Sequence, residues 1–315
     1  MRIVTPSEDT HCLYGVRVNR RKDEVTVHRT PSAEIIRRRL TVSVSSDESV
    51  ILTIRRFYYI INGKEVNAMT DSEKIVLYIE DESKADEAKA LSEKSGIEIS
   101  GEKGGGLTVV FGRECVSLTG YGLSFAGDYE KMLRRIGGGH LQHELLFRAC
   151  KTKKENPTAV DAAAGMGEDA LILAACGYDV TLYEKNPVIA ALLRDTLLRA
   201  SKNPELCEAV GRMHFIEGDS TVLMKEFEFT PDIVYLDPMF PARQKSGLIG
   251  KKLQLIQRLE CPCESEQELL NAAKELNPEK IIIKRPLKGA FLAGKKPDYS
   301  YKGKAIRYDC LAFPK

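Results

Sequence analysis

The sequence predicts an α/β protein built on a doubly wound, mostly parallel sheet, preceded by a smaller α+β and β-rich region. Three observations carry this. After Asn156-Pro157, short apolar or β-branched runs alternate regularly with helical patterns. The first of these units turns through Gly165-Met166-Gly167, a small-residue loop between strand and helix. An acid then closes successive strands at Asp161, Glu184, Asp219 and Asp237. Those are the carboxyl ends, where open α/β sheets bind their ligands.

Composition sets the outer bounds. A chain of 315 residues has room for two domains, and 43% hydrophobic with 29% charged residues is ordinary for a globular protein. No apolar run approaches the roughly 20 residues of a membrane span. The opening MRIVTPSEDT lacks the apolar core of a signal peptide. Eight cysteines are scattered, and only Cys261 and Cys263 lie close together. With no second pair to complete a zinc site, reduced thiols and a cytoplasmic location are expected. His140, His143 and Glu144 lack an evident further ligand, so no metal is expected.

The chain divides by texture. Residues 1–72 read as a β-rich extension: Leu40, Val42 and Val44 alternate, as do Val50, Leu52 and Ile54, and Asn62-Gly63 is a hairpin signal. Its basic patches, Arg20-Arg21-Lys22 and Arg37-Arg38-Arg39, suit either RNA contact or edge-strand protection. Residues 73–136 form a small α+β unit, with a strand over 75–79, a helix over 83–95 ended by Gly96, and a hairpin about Gly112-Arg113. Gly137-Gly138-Gly139 is a hinge or a ligand contact and opens a helix over 141–151. Residues 137–315 are the main domain. Its strands are expected over 158–162, 179–184, 213–217, 232–236, 280–284 and 306–313. Pro187 suits the first turn of a helix, and another helix spans 266–276.

The loop chemistry selects a ligand class. Gly165-x-Gly167-x-x-Ala170 fits a dinucleotide fingerprint, with Glu184 about 20 residues on where a ribose-binding acid belongs. Yet Asp161 precedes the loop, and Glu168 and Asp169 sit on the first helical turn, where a pyrophosphate would meet like charge. S-adenosylmethionine carries a sulfonium and an ammonium and no phosphate, so these acids favour it. Glu184 can accept ribose hydroxyls, and Asp219-Ser220 can face the adenine edge.

Asp237-Pro238-Met239-Phe240 is the most specific signal. It resembles the Asp/Asn-Pro-Pro-Tyr/Phe motif of methyltransferases that modify exocyclic or amide nitrogens. The lone pair of a nucleobase amino group is delocalised into the ring. Accepting its two hydrogens, through Asp237 and the Pro238 carbonyl, would localise that pair on nitrogen, and Phe240 would stack on the base. Such catalysis rests on positioning and electrostatics.

From about residue 73 to the C-terminus the chain resembles the small-subunit ribosomal RNA methyltransferase J family. The stretches that carry the resemblance are Gly137-Gly138-Gly139, VDAAAGMGEDALILAACG, YEKNPVIAALL, VYLDPMFPARQKS and IIIKRP. The resemblance implies a class I (Rossmann-like) methyltransferase fold, S-adenosylmethionine as donor, and the N2 of a guanine in 16S ribosomal RNA, naked or in the small subunit, as acceptor. It carries cofactor positions over to Glu168-Asp169, Glu184-Lys185, Asp219-Ser220 and Asp237. Glu168 and Lys185 stand where the family has arginine, and Ala163 replaces the usual first glycine.

Net charge is only +2, but basic residues gather late in the chain. Arg243, Lys245, Lys251, Lys252, Lys284 and Arg285 are expected to hold RNA phosphates around the target. Other readings remain open at this level. They are methylation of adenine N6 or a protein amide, a nicotinamide-dependent oxidoreductase, and a non-catalytic RNA-binding assembly factor.

Overall fold

The computed structural model describes residues 14–19, 24–29, 75–226, 229–238, 253–259 and 265–313. The chain forms two compact units, Met1–Met69 and Thr70–Lys315. In the first, strands β1 (Tyr14–Asn19) and β2 (Glu24–Arg29) pair antiparallel, Asn19 opposite Glu24. The strands expected between 40 and 54, the Asn62-Gly63 turn and both basic patches lie outside the described residues.

The second unit holds two sheets. The smaller contains β3 (Ile75–Ile79), β4 (Ile99–Ser100), β5 (Leu107–Phe111), β6 (Val116–Gly120) and β7 (Leu123–Phe125), in the order β4-β3-β5-β6-β7. Helix α1 (Ala85–Ser95) follows β3. Asp81 starts this segment by accepting from the Ser83 amide in a 3-10 turn, and Gly96 ends it in the left-handed conformation. The short α2 (Leu133–Ile136) then leads to the triple glycine. The single helix expected over 141–151 is broken. A 3-10 turn, Leu141–His143, is separated from α3 (Leu145–Cys150) by Glu144 in an extended conformation. Both Glu144 oxygens are taken by Arg135, at 2.8 and 2.9 Å, in a bidentate pair formed at the break.

The larger sheet follows the expected alternation. Its elements are β8 (Thr158–Asp161), α4 (Glu168–Ala175), β9 (Asp179–Glu184), α5 (Pro187–Ala200), α6 (Cys207–Gly211), β10 (Met213–Glu217), α7 (Ser220–Leu223) and β11 (Ile233–Leu236). Then come α8 (Leu253–Leu259), α9 (Glu266–Glu275), β12 (Lys280–Pro286), β13 (Tyr299–Lys302) and β14 (Ile306–Ala312). The strand order is β10-β9-β8-β11-β12-β14-β13. Strands β8 to β12 are parallel, and β14 enters antiparallel beside β12. The edge strand β13 was not foreseen in sequence: Tyr299-Ser300-Tyr301-Lys302 is short and half-exposed, with no apolar face to mark it.

Both faces of the sheet are covered, and the residue alternation shows how. Ala159, Ile233, Tyr235 and Ile282 pack with α3, α4 and α6. Val160, Val234, Leu236, Ile281 and Ile283 pack with α9 on the opposite face. Strands buried on both faces read as continuous apolar runs, which is why β11 and β12 look uniform in sequence. Among the described residues no helix is long and apolar enough to cross a membrane.

Helix α5 also serves the smaller sheet: Val188, Ile189 and Leu192 pack with Leu77, Val109 and Leu118. Next to this contact, Asp195 is 5% exposed and receives Lys84 and Arg199, each at 2.8 Å. Arg199 reaches on to the Gly127 carbonyl at 2.7 Å. Truncating one member of a buried ion-pair group leaves the other charges uncompensated. Asp195→Ala is therefore expected to cost about 3 kcal/mol and lower Tm by about 10 °C, with Asp195→Asn, which removes the same charge, costing nearly as much. Thermal unfolding measures it, and an Asp195→Asn variant as stable as the wild type would refute the charge argument.

Candidate active site

The site lies where the sheet order reverses, between β8 and β11, at their carboxyl ends. This is the crevice that doubly wound sheets use for ligands. The loop after β8 is organised by its own amides. Ala162 N donates to the Tyr235 carbonyl at 3.0 Å, Ala164 N to the Tyr183 carbonyl at 2.9 Å, and Gly167 N to the Ala164 carbonyl at 2.7 Å. Ala163 N donates to Asp161 at 3.1 Å and Gly165 N to Glu184 at 3.0 Å. A pyrophosphate turn needs such N–H groups free for phosphate. These five are committed to protein oxygens, and the carboxylates of Glu168 and Asp169 put like charge at the start of α4 where a pyrophosphate would sit, which argues against the dinucleotide alternative.

Gly165 and Gly167 have different reasons to be glycine. Both have positive φ, +54° and +71°. At Gly165 a Cβ would meet nothing within 4 Å, so the backbone faces open approach. At Gly167 a Cβ would lie 2.4 Å from the Tyr129 hydroxyl and 3.0 Å from Leu193. Tyr129 is buried and donates to the Met166 carbonyl at 2.8 Å, bracing the loop from below. Burial pushes this phenol far above its ordinary pKa.

Glu184 ends β9 with one oxygen on Gly165 N and the other on Asn186 N, at 2.7 Å. Burial raises its pKa against those two hydrogen bonds. A carboxylate has further lone pairs, so this group retains capacity for ribose hydroxyls. Asn186 caps α5 and also donates to the Leu259 carbonyl of α8 at 2.8 Å. Asp219 is exposed and caps α7 through Thr221. Burial pulls its pKa upward, but the Thr221 hydrogen bonds outweigh that and hold it below the usual carboxylate range. Ser220 beside it is buried, whereas Glu168 and Lys185 are exposed.

The remaining acids converge. Asp161 is 1% exposed, and burial pushes its carboxyl well above the ordinary range. Asp169, on the first turn of α4, accepts from the Tyr235 hydroxyl at 2.7 Å and from Lys284 at 2.6 Å. The same Lys284 ammonium donates to Asp237 at 2.8 Å. The Asp237 carboxyl is raised by burial, which outweighs Lys284. Burial alone would lower Lys284; the two carboxylates more than reverse this and raise it well above its ordinary value. Tyr308 stands beside Lys284 across the β12–β14 ladder and packs against Tyr235, ring centroids 6.2 Å apart. Pro238 is buried.

Two expected phosphate ligands need correction. Lys284 is taken by Asp169 and Asp237. Arg285 is 3% exposed and bonds Glu266 and the Ala290 carbonyl. Both occupy a strand buried on two faces, so their charges are turned into the fold. Phe240, Arg243, Lys245, Lys251 and Lys252 lie outside the described residues. Sequence reading missed Tyr129, Tyr235 and Tyr308: Tyr235 is a polar tip in an apolar run, and the other two stand among charged neighbours that give no sign of their burial.

Fold and site together define a class I S-adenosylmethionine-dependent methyltransferase. The acids, the open Gly165 backbone and the committed loop amides fit that cofactor and not a phosphate. A family model described as "Putative SAM-dependent methyltransferase" matches residues 123–312. Ribosomal RNA small subunit methyltransferase J of Pseudomonas aeruginosa is 34% identical over 253 residues, covering 76% of this chain and 96% of that protein. Its namesake from Neisseria meningitidis is 38% identical over 190 residues, covering 59% of this chain and 74% of that one. The solved S-adenosylmethionine-dependent methyltransferase of Neisseria gonorrhoeae has a TM-score of 0.57 at 29% identity, covering 76% of this chain and 96% of that chain. This chain belongs to the ribosomal RNA small subunit methyltransferase J family.

Gly167→Ala should cost about 3 kcal/mol, from left-handed strain and the Tyr129 clash. Tyr129→Phe should cost about 1–2 kcal/mol by orphaning the Met166 carbonyl. Combined, they should cost less than their sum, because the second change removes the oxygen that the first collides with. Denaturant melts of the three variants test this, and strict additivity would mean that the loop avoids the clash by moving.

Proposed function

We propose that this protein transfers a methyl group to the exocyclic N2 of a guanine in 16S ribosomal RNA, in the cytoplasm, and that residues 137–315 carry the reaction. The observation that supports it most is the placement of Asp237-Pro238 beside the donor-site acids at one switch point. The names of the relatives point to small-subunit RNA as the substrate.

Glu184, Asp219 and Ser220 would hold the nucleoside part of S-adenosylmethionine, and Gly165 would lie against it. When bound, this cofactor supplies an electrophilic methyl group on a sulfonium. Asp237 and the Pro238 carbonyl would accept the two amino hydrogens of the guanine and localise the nitrogen lone pair. Phe240 would stack on the base, which must be unpaired or flipped out. Arg243, Lys245, Lys251 and Lys252 would hold flanking phosphates. No strong general base is needed, because the proton can leave after transfer.

The test is methyl transfer from labelled S-adenosylmethionine to small-subunit RNA lacking the modification, followed by digestion to nucleosides. N2-methylguanosine is expected, falling by about 10²–10³-fold in Asp237→Ala. Activity should also decline with rising salt, as phosphate anchoring requires. A different methylated nucleoside would overturn the guanine assignment. Cofactor binding with no transfer to RNA or subunits would favour the assembly-factor reading.

A further inference from the structure

We propose that Lys284 is a positioning residue for methyl transfer: clamped between Asp169 and Asp237, its ammonium fixes the Asp237 carboxylate through Oδ2, and Oδ1, which has no partner among the described residues, is the oxygen for the acceptor amino group. The inference deepens the proposed function and rests on that reading for its activity arm.

The geometry is specific. Lys284 bonds one Asp237 oxygen, Oδ2, at 2.8 Å and Asp169 Oδ2 at 2.6 Å. The Tyr235 hydroxyl donates to that same Asp169 oxygen at 2.7 Å, so the clamp is itself held from the buried side. Both acidic ends are anchored on different elements, α4 and the end of β11, while the ammonium comes from β12. An acid that must aim one oxygen at a base gains orientation from a fixed bond on the other. The arrangement is also enclosed: the Lys284 and Asp237 side chains are 26% and 27% exposed. A lysine meant for RNA phosphate would be left free to reach outward, and this one is not.

Among the described residues, the charged and titratable groups facing Asp237 are Lys284 and Arg285 on β12, Asp169 on α4, Asp161 on β8, Tyr235 on β11 and Tyr308 on β14. Removing the Lys284 ammonium leaves Asp237 near two other carboxyls with its closest cation gone. Its protonation must then move to higher pH.

The experiment follows the Asp237 carboxyl by carbon NMR against pH in aspartate-labelled protein, with the resonance assigned by Asp237→Asn. In Lys284→Met the titration midpoint should rise by about one unit or more. Lys284→Gln, which removes the same charge but keeps a hydrogen-bond donor, should raise it as well and serves if the first variant folds poorly. An unmoved midpoint in both would overturn the proposal. In the RNA assay, Lys284→Met should lower kcat by about 10- to 100-fold, with KM for RNA within about threefold and the acid limb of the pH profile displaced upward. A loss confined to KM for RNA would overturn it in favour of phosphate anchoring. Wild-type protein that transfers nothing to RNA would refute the proposed function, while the NMR titration would still decide the role of Lys284.

Discussion

The site depends on a charge constraint at the switch point. The strand order sets β8 and β11 side by side, and each ends in an acid: Asp161 and Asp237. Helix α4 adds Asp169 over the same end. Three carboxyls in one partly buried crevice would repel one another and favour protonation. The lysine of β12 relieves this, because it ionises against two of them at once. The remaining acid, Asp161, is buried, a condition that favours its neutral form, and its oxygen receives Ala163 N. The donor loop and the acceptor motif therefore share one electrostatic unit.

The backbone parity that builds this unit is simple. Ala159, Tyr235 and Ile282 point to the α3, α4 and α6 face. Two residues further along their strands stand Asp161, Asp237 and Lys284, which the alternation of strands sends to the same face. The β11–β12 register, Tyr235 opposite Ile282 and Leu236 opposite Ile283, continues to Asp237 opposite Lys284. The hydrogen bond between those two side chains is what that continuation delivers.

Much of the fold was legible because strand and helix periods are local. The six strands of the main domain, the helix start at Pro187 and the Gly96 terminator could be placed from neighbours in sequence. The acids at strand ends were legible for the same reason. Lys284 was visible as part of IIIKRP but was assigned outward, since its partners lie 47 and 115 residues away and meet it only through strand order. The break at Glu144 falls in a stretch with no glycine or proline to mark it, and β13 is hidden because an edge strand needs no apolar face. Tyr129 was unreadable for a similar reason: only the folded loop shows that its hydroxyl occupies the space a side chain at Gly167 would need.

The glycine loop shows why motif spacing underdetermines ligand. Its spacing suits a pyrophosphate, but the decision lies in where its amides go. Asp161 and Glu184 consume two of them by side chain, and backbone carbonyls take others. Glu168 and Asp169 add like charge at the start of α4, where a phosphate would sit, and the acids that satisfy these amides make the crevice electronegative. The same two acids therefore build the turn and set its ligand preference. Changing the ligand class of this fold would require removing Asp161 and Glu184, and so dismantling the turn itself. In this family member the shape of the loop and the charge of its ligand are one property.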